Sequence, residues 1–490
     1  MKKLFLIFCV FYNAVAVSQT VLNSFSLNLN RPQENGQSLN AEDVKTNDIY
    51  VFAADDKYIN ILKYNKSLFL RNQFTDSIKF AANRSLIGHS IADDGNPVLY
   101  WASENLRNIR IIKYYLETKS IKALNFEMPP ANEYLITTFQ KNNNFYMLSK
   151  ETNQQHLLLY EFNNGKAEVK MFDLSGIKFQ NEKGQNLAFN TILRYYPIEK
   201  MDAESFPTLD KTASKSKMYV SDDRILLTFD YGLKKTQVLD LNLANATVTE
   251  RTFDQPFSKA PSKTSNSFFY ENKLLQIKVS NEELLLDIKD FDSGKTLKSL
   301  TVSKNDTISF KNSPLFVQIS DKKPQEIKTT AKFLKQLSGL NAGISAFKNR
   351  ENIFLSIGGF AEYQVSNYSY GQTNFFGEFE NDFGYSEYSS KMAYFDSMLN
   401  SNLEFVYNKQ LEPLAIDNIF YYLSINKNIT LQNILKLKDY YILGYYDSSS
   451  KQYIMRKFTD GFYYEEKNPV INKAILSNPF SFDNLKSIKN

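Results

Sequence analysis

An all-β fold is the class this sequence predicts, and three observations predict it. The local pattern is short alternating apolar runs bounded by Asn, Asp, Gly and Ser, which is strand and turn chemistry rather than helix chemistry. One composite unit, an apolar strand, a short polar turn and an alternating strand, recurs along the chain. Its copies follow one another at a nearly constant period.

The copies are ILKYNKSLFLRNQF (61–74), IIKYYLETKSIKALNF (111–126), LLLYEFNNGKAEVKMF (157–172), QVLDLNLANATVTERTF (237–253), LLDIKDFDSGKTLKSLTV (285–302) and ILGYYDSSSKQYIMRKF (442–458). Four turns hold tight-turn material, such as Asn163-Asn164-Gly165 and Asp292-Ser293-Gly294, residues that tolerate positive φ. Five of the six second strands end at Phe: Phe74, Phe126, Phe172, Phe253 and Phe458; the fifth copy ends at Val302. The spacings are 52, 46, 81, 49 and 156 residues. Three lie near one period of about 50, the range of propeller blades. The 81-residue gap holds an insertion, Ser175 to Ser216. The 156-residue gap spans about three periods, so it should hide two further units, and LEFVYNKQLEPLA (403–415) is read as one of them.

A short strand precedes most hairpins: IYVF (49–52), PVLYWA (97–102), NFYMLS (144–149), KMYV (217–220), SFFY (267–270), NIFLSI (352–357) and IFYYLS (419–424), and a fourth often comes earlier, as in YLITTF (134–139). Four-stranded units at this period make a β-propeller. The expectation is seven four-stranded antiparallel blades over residues 49–465. Residues 19–48 form an N-terminal segment offered as closing the ring through a strand near Val21 to Leu29, and residues 466–490 form a tail. One segment breaks the pattern: KPQEIKTTAKFLKQLSGL places Ile327, Ala331, Phe333, Leu334 and Leu337 at near-helical spacing before Gly339, so one short helix is expected near 325–339.

The stretch GHSIADDGNPVLYW (88–101) nearly spells the G-x-S-x-G elbow of a serine hydrolase. An elbow needs a helix after its serine, and here Ala92 to Asn96 reads as a turn leading into a strand. Apart from His89, the chain has one other histidine, His156. A hydrolase built on Ser90 is therefore set aside.

The N-terminus has the order of a secretory signal. Lys2 and Lys3 precede an apolar run, Leu4 to Val17, and Ala16 and Ser18 fit cleavage before Gln19. Residues 1–18 are read as that signal, with no transmembrane segment left after cleavage. Cys9, the single cysteine, lies inside it. A mature chain without cysteine points to bacterial export, with the product secreted, periplasmic or at the cell surface. Without Lys2 and Lys3 the chain has 56 basic and 53 acidic residues, a balance of +3, which argues against a nucleic-acid partner.

No Cys pair, H-E-x-x-H, Walker loop, G-x-G-x-x-G or calcium loop occurs, so no metal, cofactor or catalytic residue is assigned. The acid pairs Asp55-Asp56, Asp93-Asp94 and Asp222-Asp223 read as solvated turns. One segment stands above background. Of the 29 residues 360–388, ten are aromatic, about a third, against 14% for the chain. Consecutive strand residues face opposite ways, so pairs such as Phe375-Phe376 cannot all enter one core. Tyr363, Tyr368, Tyr370, Phe375, Phe376, Phe379, Phe383, Tyr385 and Tyr388 are the candidate binding residues, for a protein or a glycan ligand.

The repeated units resemble secreted bacterial β-propeller proteins over roughly residues 45–465, at the level of fold, with no W-D, kelch or Asp-box signature. The function expected is that of an exported, non-enzymatic binding or scaffold protein of the cell envelope or exterior. The alternative is a glycan-active hydrolase or lyase using scattered carboxylates on the same scaffold. The sequence specifies no oligomeric state.

Overall fold

The first five recurring hairpins each form the outer half of a four-stranded antiparallel meander in the computed structural model, which describes residues 19–78, 85–128, 133–164, 166–201, 206–320, 322–349, 352–366, 386–407 and 411–461. From inside outward, blade 1 is Gln37–Glu42, Ile49–Ala54, Tyr58–Tyr64 and Leu70–Ser77. Blade 2 is Ser85–Ile91, Pro97–Ala102, Asn108–Tyr115 and Ser120–Glu127. Blade 3 is Glu133–Lys141, Asn144–Glu151, His156–Asn163 and Lys166–Asp173. Blade 4 is Ser216–Val220, Arg224–Phe229, Lys235–Asn242 and Thr247–Asp254, with a fifth strand, Ile198–Met201, parallel on its inner side. Blade 5 is Thr264–Tyr270, Lys273–Val279, Glu283–Asp290 and Thr296–Ser303.

Burial explains the repeat. Second strands are sandwiched between neighbouring blades, and every residue of Ile49–Ala54 and Pro97–Ala102 is buried. Outer strands face solvent and are mostly exposed, as in Lys166–Asp173. Their recurring Phe is the exception that turns inward. Phe74 meets Tyr114 of blade 2 edge-on at 5.8 Å, Phe126 meets Tyr160 and Phe162 of blade 3 at 5.7 and 5.3 Å, and Phe253 stacks on Phe291 beside blade 5 at 5.4 Å. Phe172 is wholly buried in a cluster with Leu239 and Leu241 of blade 4. The repeated residue therefore joins each of blades 1 to 4 to the next.

Blade 7 is Ile429–Lys436, Tyr441–Asp447 and Gln452–Phe458, and its outermost strand is Gln19–Ser26, paired antiparallel from Gln19 opposite Phe458 to Ser26 opposite Gln452. The ring thus closes with a strand from the other end of the chain, which covers the edge that Gln452–Phe458 would otherwise leave unpaired. Blade 7 also binds blade 1: the Ser38 hydroxyl donates to the Leu431 carbonyl (2.7 Å), and the Tyr453 hydroxyl donates to Asn40 Oδ1 (2.7 Å).

Blade 6 departs from the repeat. Its order from inside outward is Asn341–Asn349, Asn352–Ser366, Ser386–Leu399, Leu315–Ile319 and Gln325–Ile327, so its outer strands come first in the chain. The seven-bladed ring stands, but two segments are not the strands that the sequence suggested. LEFVYNKQLEPLA was read as strand, turn and strand, whereas only Phe405 makes a lone bridge, to Leu399, and residues 408–410 lie outside the described residues. IFYYLS was read as a strand and belongs to the helix Ala415–Ile425. Its β-branched and aromatic residues favour strands, but two free N–H groups at its start are satisfied by carboxyl groups: Leu414 N donates to Asp417 and Ala415 N to Asp460, both at 2.8 Å. Ala415, Ile419 and Phe420 then pack on Leu443, Tyr445 and Phe458 of blade 7, and tertiary packing overrides propensity.

The helix expected near 325–339 is present as Thr330–Leu337, with the Thr329 side chain accepting from Lys332 N. Phe333, Leu334 and Leu337 are fully buried in the core shared by blades 5 and 6. The insertion after blade 3 carries a small hairpin, Phe179–Gln180 with Asn186–Leu187, and the helices Phe189–Tyr195 and Leu209–Thr212. Its last part reaches past blade 5 to the inner strands of blade 6. Phe206 packs on Phe347 and Phe354, and a Cβ at Gly343 would lie 3.0 Å from Ala213 N. Among the described residues no helix is long and apolar enough to cross a membrane.

Candidate binding face at blades 4 to 6

The inner strands of blades 4, 5 and 6 that begin at Ser216, Thr264 and Asn341 are joined at that end by a buried polar network. Lys217, fully buried, donates to Asn266 Oδ1 (2.6 Å), the Ser214 carbonyl (2.6 Å) and Asp230 Oδ2 (3.3 Å). Asp230 also accepts from the Thr236 hydroxyl (2.7 Å), the Ser267 N–H and hydroxyl (3.1 and 2.7 Å) and Gln255 Nε2 (3.3 Å). Asn266 Nδ2 donates onward to the Ala342 carbonyl of blade 6 (2.7 Å). A charge buried this deeply is tolerated only when paired and hydrogen-bonded, and this pair is both.

Lys215 shares the network from a half-buried position. Its ammonium donates to Thr264 Oγ1 (3.4 Å) and the Ser265 carbonyl (2.5 Å). Burial pushes it down to about 8; Asp230 opposes that shift, and the neighbouring charge of Lys217 adds to it. Burial likewise holds Lys217 below the ordinary lysine range against the attraction of Asp230.

Lys215 and Asp230 line an open cavity of about 410 Å³ with Tyr196 and Tyr231 from the blade 4 side, Lys263 from the blade 5 side and Asn341 from blade 6. Ala361 also lines it, and there the two longest strands leave the sheet. Asn352–Ser366 pairs with Ser386–Leu399 as far as Ser366 opposite Ser386, but the inner strand stops pairing at Phe360 and the outer strand at Lys391. Residues 361–366 and 386–390 therefore form a two-stranded arm that leaves the blade, tied at its base by the Ser320 N–H donating to the Ser390 carbonyl (2.8 Å) and roughly 20 Å long at the usual rise per residue.

Of the residues proposed for binding, Tyr363 lies on this arm and is 42% exposed. Tyr388 is in the paired strand opposite Gln364. Tyr368, Tyr370, Phe375, Phe376, Phe379, Phe383 and Tyr385 lie outside the described residues. Lys215, Lys217, Asp230 and Lys263 carry no motif; the one trace in the sequence is a lysine, Lys217, opening the otherwise buried strand KMYV.

The Ser90 hydroxyl is buried in blade 2 and bonds the Tyr100 hydroxyl at 2.9 Å, while His156 Nδ1 bonds Glu151 at 3.0 Å. The acid pairs serve turns and ion pairs: Asp55 accepts from the N–H groups of Lys57 and Tyr58, Asp93 pairs with Lys45, Asp94 with Lys113 and Asp222 with Lys141. Among the described residues no group of His, Cys, Asp and Glu could hold a metal ion.

No protein-family model matches the chain, and no curated protein matches it. Among solved structures it is similar to the WD40 domain of SCAP from fission yeast (10% identity, TM-score 0.31, 91% of this chain and 92% of that one). It is similar to the Nup133 β-propeller domain of Vanderwaltozyma polyspora (8%, TM-score 0.32, 90% and 100%) and to the Dos1 propeller (9%, TM-score 0.32, 90% and 96%). These likenesses concern fold; the all-β propeller itself stands on the seven sheets described above.

Proposed function

We propose that this chain is an exported, non-enzymatic binding or scaffold protein of a bacterial cell envelope or exterior, and that it engages a protein or glycan ligand through the face carrying the blade 6 arm. One observation carries the reading: strands of 15 and 14 residues run past their neighbours and hold an exposed tyrosine, Tyr363, beyond the sheet, and the sequence that joins them is rich in aromatic residues. Packing within the blade requires no such extension. Rigid aromatic rings among small polar residues are the composition of binding surfaces.

Replacing Tyr363, Tyr368, Tyr370, Phe375 and Phe376 with serine, together with a photo-crosslinking residue placed at Glu362, tests this. The unsubstituted arm should crosslink one envelope component, and the serine arm should lose that product with the melting temperature unchanged. Crosslinking no stronger than from Leu124 on the rim of blade 2 would overturn the reading. Export is tested by the N-terminus of the native protein: mass spectrometry should find Gln19 first, and an intact Met1 would refute it.

A further inference from the structure

The charges of the buried network beside the cavity do not balance. Two lysines, Lys215 and Lys217, lie in the field of one carboxylate, Asp230. That carboxylate is already occupied: it accepts from Lys217 and from Thr236, Ser267 and Gln255. Lys217 is thereby paired, whereas the two hydrogen bonds of the Lys215 ammonium go to uncharged acceptors, a hydroxyl and a backbone carbonyl. A half-buried ammonium whose hydrogen bonds reach only neutral acceptors keeps part of its desolvation cost, and a pKa depressed to about 8 agrees with that. An anion entering the cavity would remove it. Lys263, on the same wall and exposed, adds a second positive charge where such a group would enter.

The rest of the lining is not what a bare anion needs. Tyr196 and Tyr231 stack on one another with ring centroids 6.5 Å apart and planes at 25°, and both line the cavity, so aromatic surface is available there to a sugar ring. Ser338 and Asn341 add polar groups for hydroxyls. A volume of about 410 Å³ lies within the range of small-molecule sites. We propose that the cavity binds an acidic monosaccharide, a hexuronate, with its carboxylate on Lys215 and Lys263 and its ring against the Tyr196–Tyr231 pair. The inference rests on the glycan branch of the binding reading above and uses no residue of the arm beyond Ala361.

Isothermal titration of the mature protein with D-glucuronate, D-galacturonate, D-glucose and acetate tests it. At least one uronate should bind saturably, with glucose and acetate each at least tenfold weaker. Lys215→Met should weaken the uronate at least tenfold, and Lys263→Met by a smaller factor. A second measurement needs no variant: a saturating uronate should protect Lys215 from limiting acetic anhydride, read by mass spectrometry against the exposed Lys451. Uronates binding no better than acetate, or Lys215 acetylated equally with and without them, would overturn the proposal. The serine-substituted arm should bind the uronate normally, so failure of the arm and failure of the cavity are read separately.

Discussion

Removing either member of the buried ion pair should have unequal consequences. Asp230→Asn leaves Lys217 without its anion and removes the one carboxylate acting on Lys215. It also turns an amide N–H toward donors from Thr236, Ser267 and Gln255. Breaking a buried pair from this side should cost about 3–5 kcal/mol. Lys217→Met leaves Asp230 with four hydrogen bonds from neutral donors and removes the charge that repels Lys215, which can then serve as counter-ion. The losses are the donors to Asn266 and the Ser214 carbonyl, so about 1–3 kcal/mol is expected. Urea unfolding at pH 7 measures both. The pKa of Lys215, followed by NMR of its side chain, should rise in Lys217→Met and fall in Asp230→Asn. A Lys217→Met variant that is as destabilised as Asp230→Asn, or more so, would refute this assignment of charge.

Phe172→Ala should cost about 3–5 kcal/mol, because a wholly buried ring between blades 3 and 4 is removed; a loss below about 1 kcal/mol in chemical denaturation would deny the repeat its role as inter-blade joint. Asp417 is raised to about 8, chiefly by burial and also by the charges of Asp396 and Asp460. Its folded form therefore holds a proton that the unfolded chain releases near 3.8, so its contribution is full below that value and is lost as pH rises toward 8. Asp417→Asn keeps an acceptor for Leu414 N and should gain stability relative to the parent by up to about 1.4 kcal/mol per pH unit from pH 4 to 8. A pH-independent difference between the two proteins would contradict the shift. Gly343→Val should destabilise through its clash with the Ala213 backbone, and an unchanged melting temperature would mean that the insertion does not pack on blade 6.

Most of the ring was legible because its signals are local. Tight-turn residues mark four of the six hairpins, and Phe74, Phe126, Phe172 and Phe253 each mark a strand end that turns in toward the next blade. The sixth hairpin was legible too, although Tyr441–Asp447 and Gln452–Phe458 are the middle strands of blade 7 and their partner lies at the other end of the chain. Blade 6 was not legible, because Leu315–Ile319 precedes the inner strands it flanks and no local pattern encodes that order. The helix Ala415–Ile425 was missed because its caps are Asp417 and Asp460, one of them 45 residues from the N–H it accepts. Lys215, Lys217 and Asp230 look like ordinary surface charges in sequence; only the approach of three blades makes them a buried cluster.

The binding face at blades 4 to 6 presupposes a ring closed by Gln19–Ser26 on Gln452–Phe458, and hydrogen exchange tests that closure most directly. Amides in the paired strand Gln19–Ser26 should be protected for as long as those of Tyr441–Asp447, and should lose protection together with them in denaturant. Exchange of residues 19–26 within seconds, while 441–458 stays protected, would mean an open ring and would contradict the closed seven-bladed propeller.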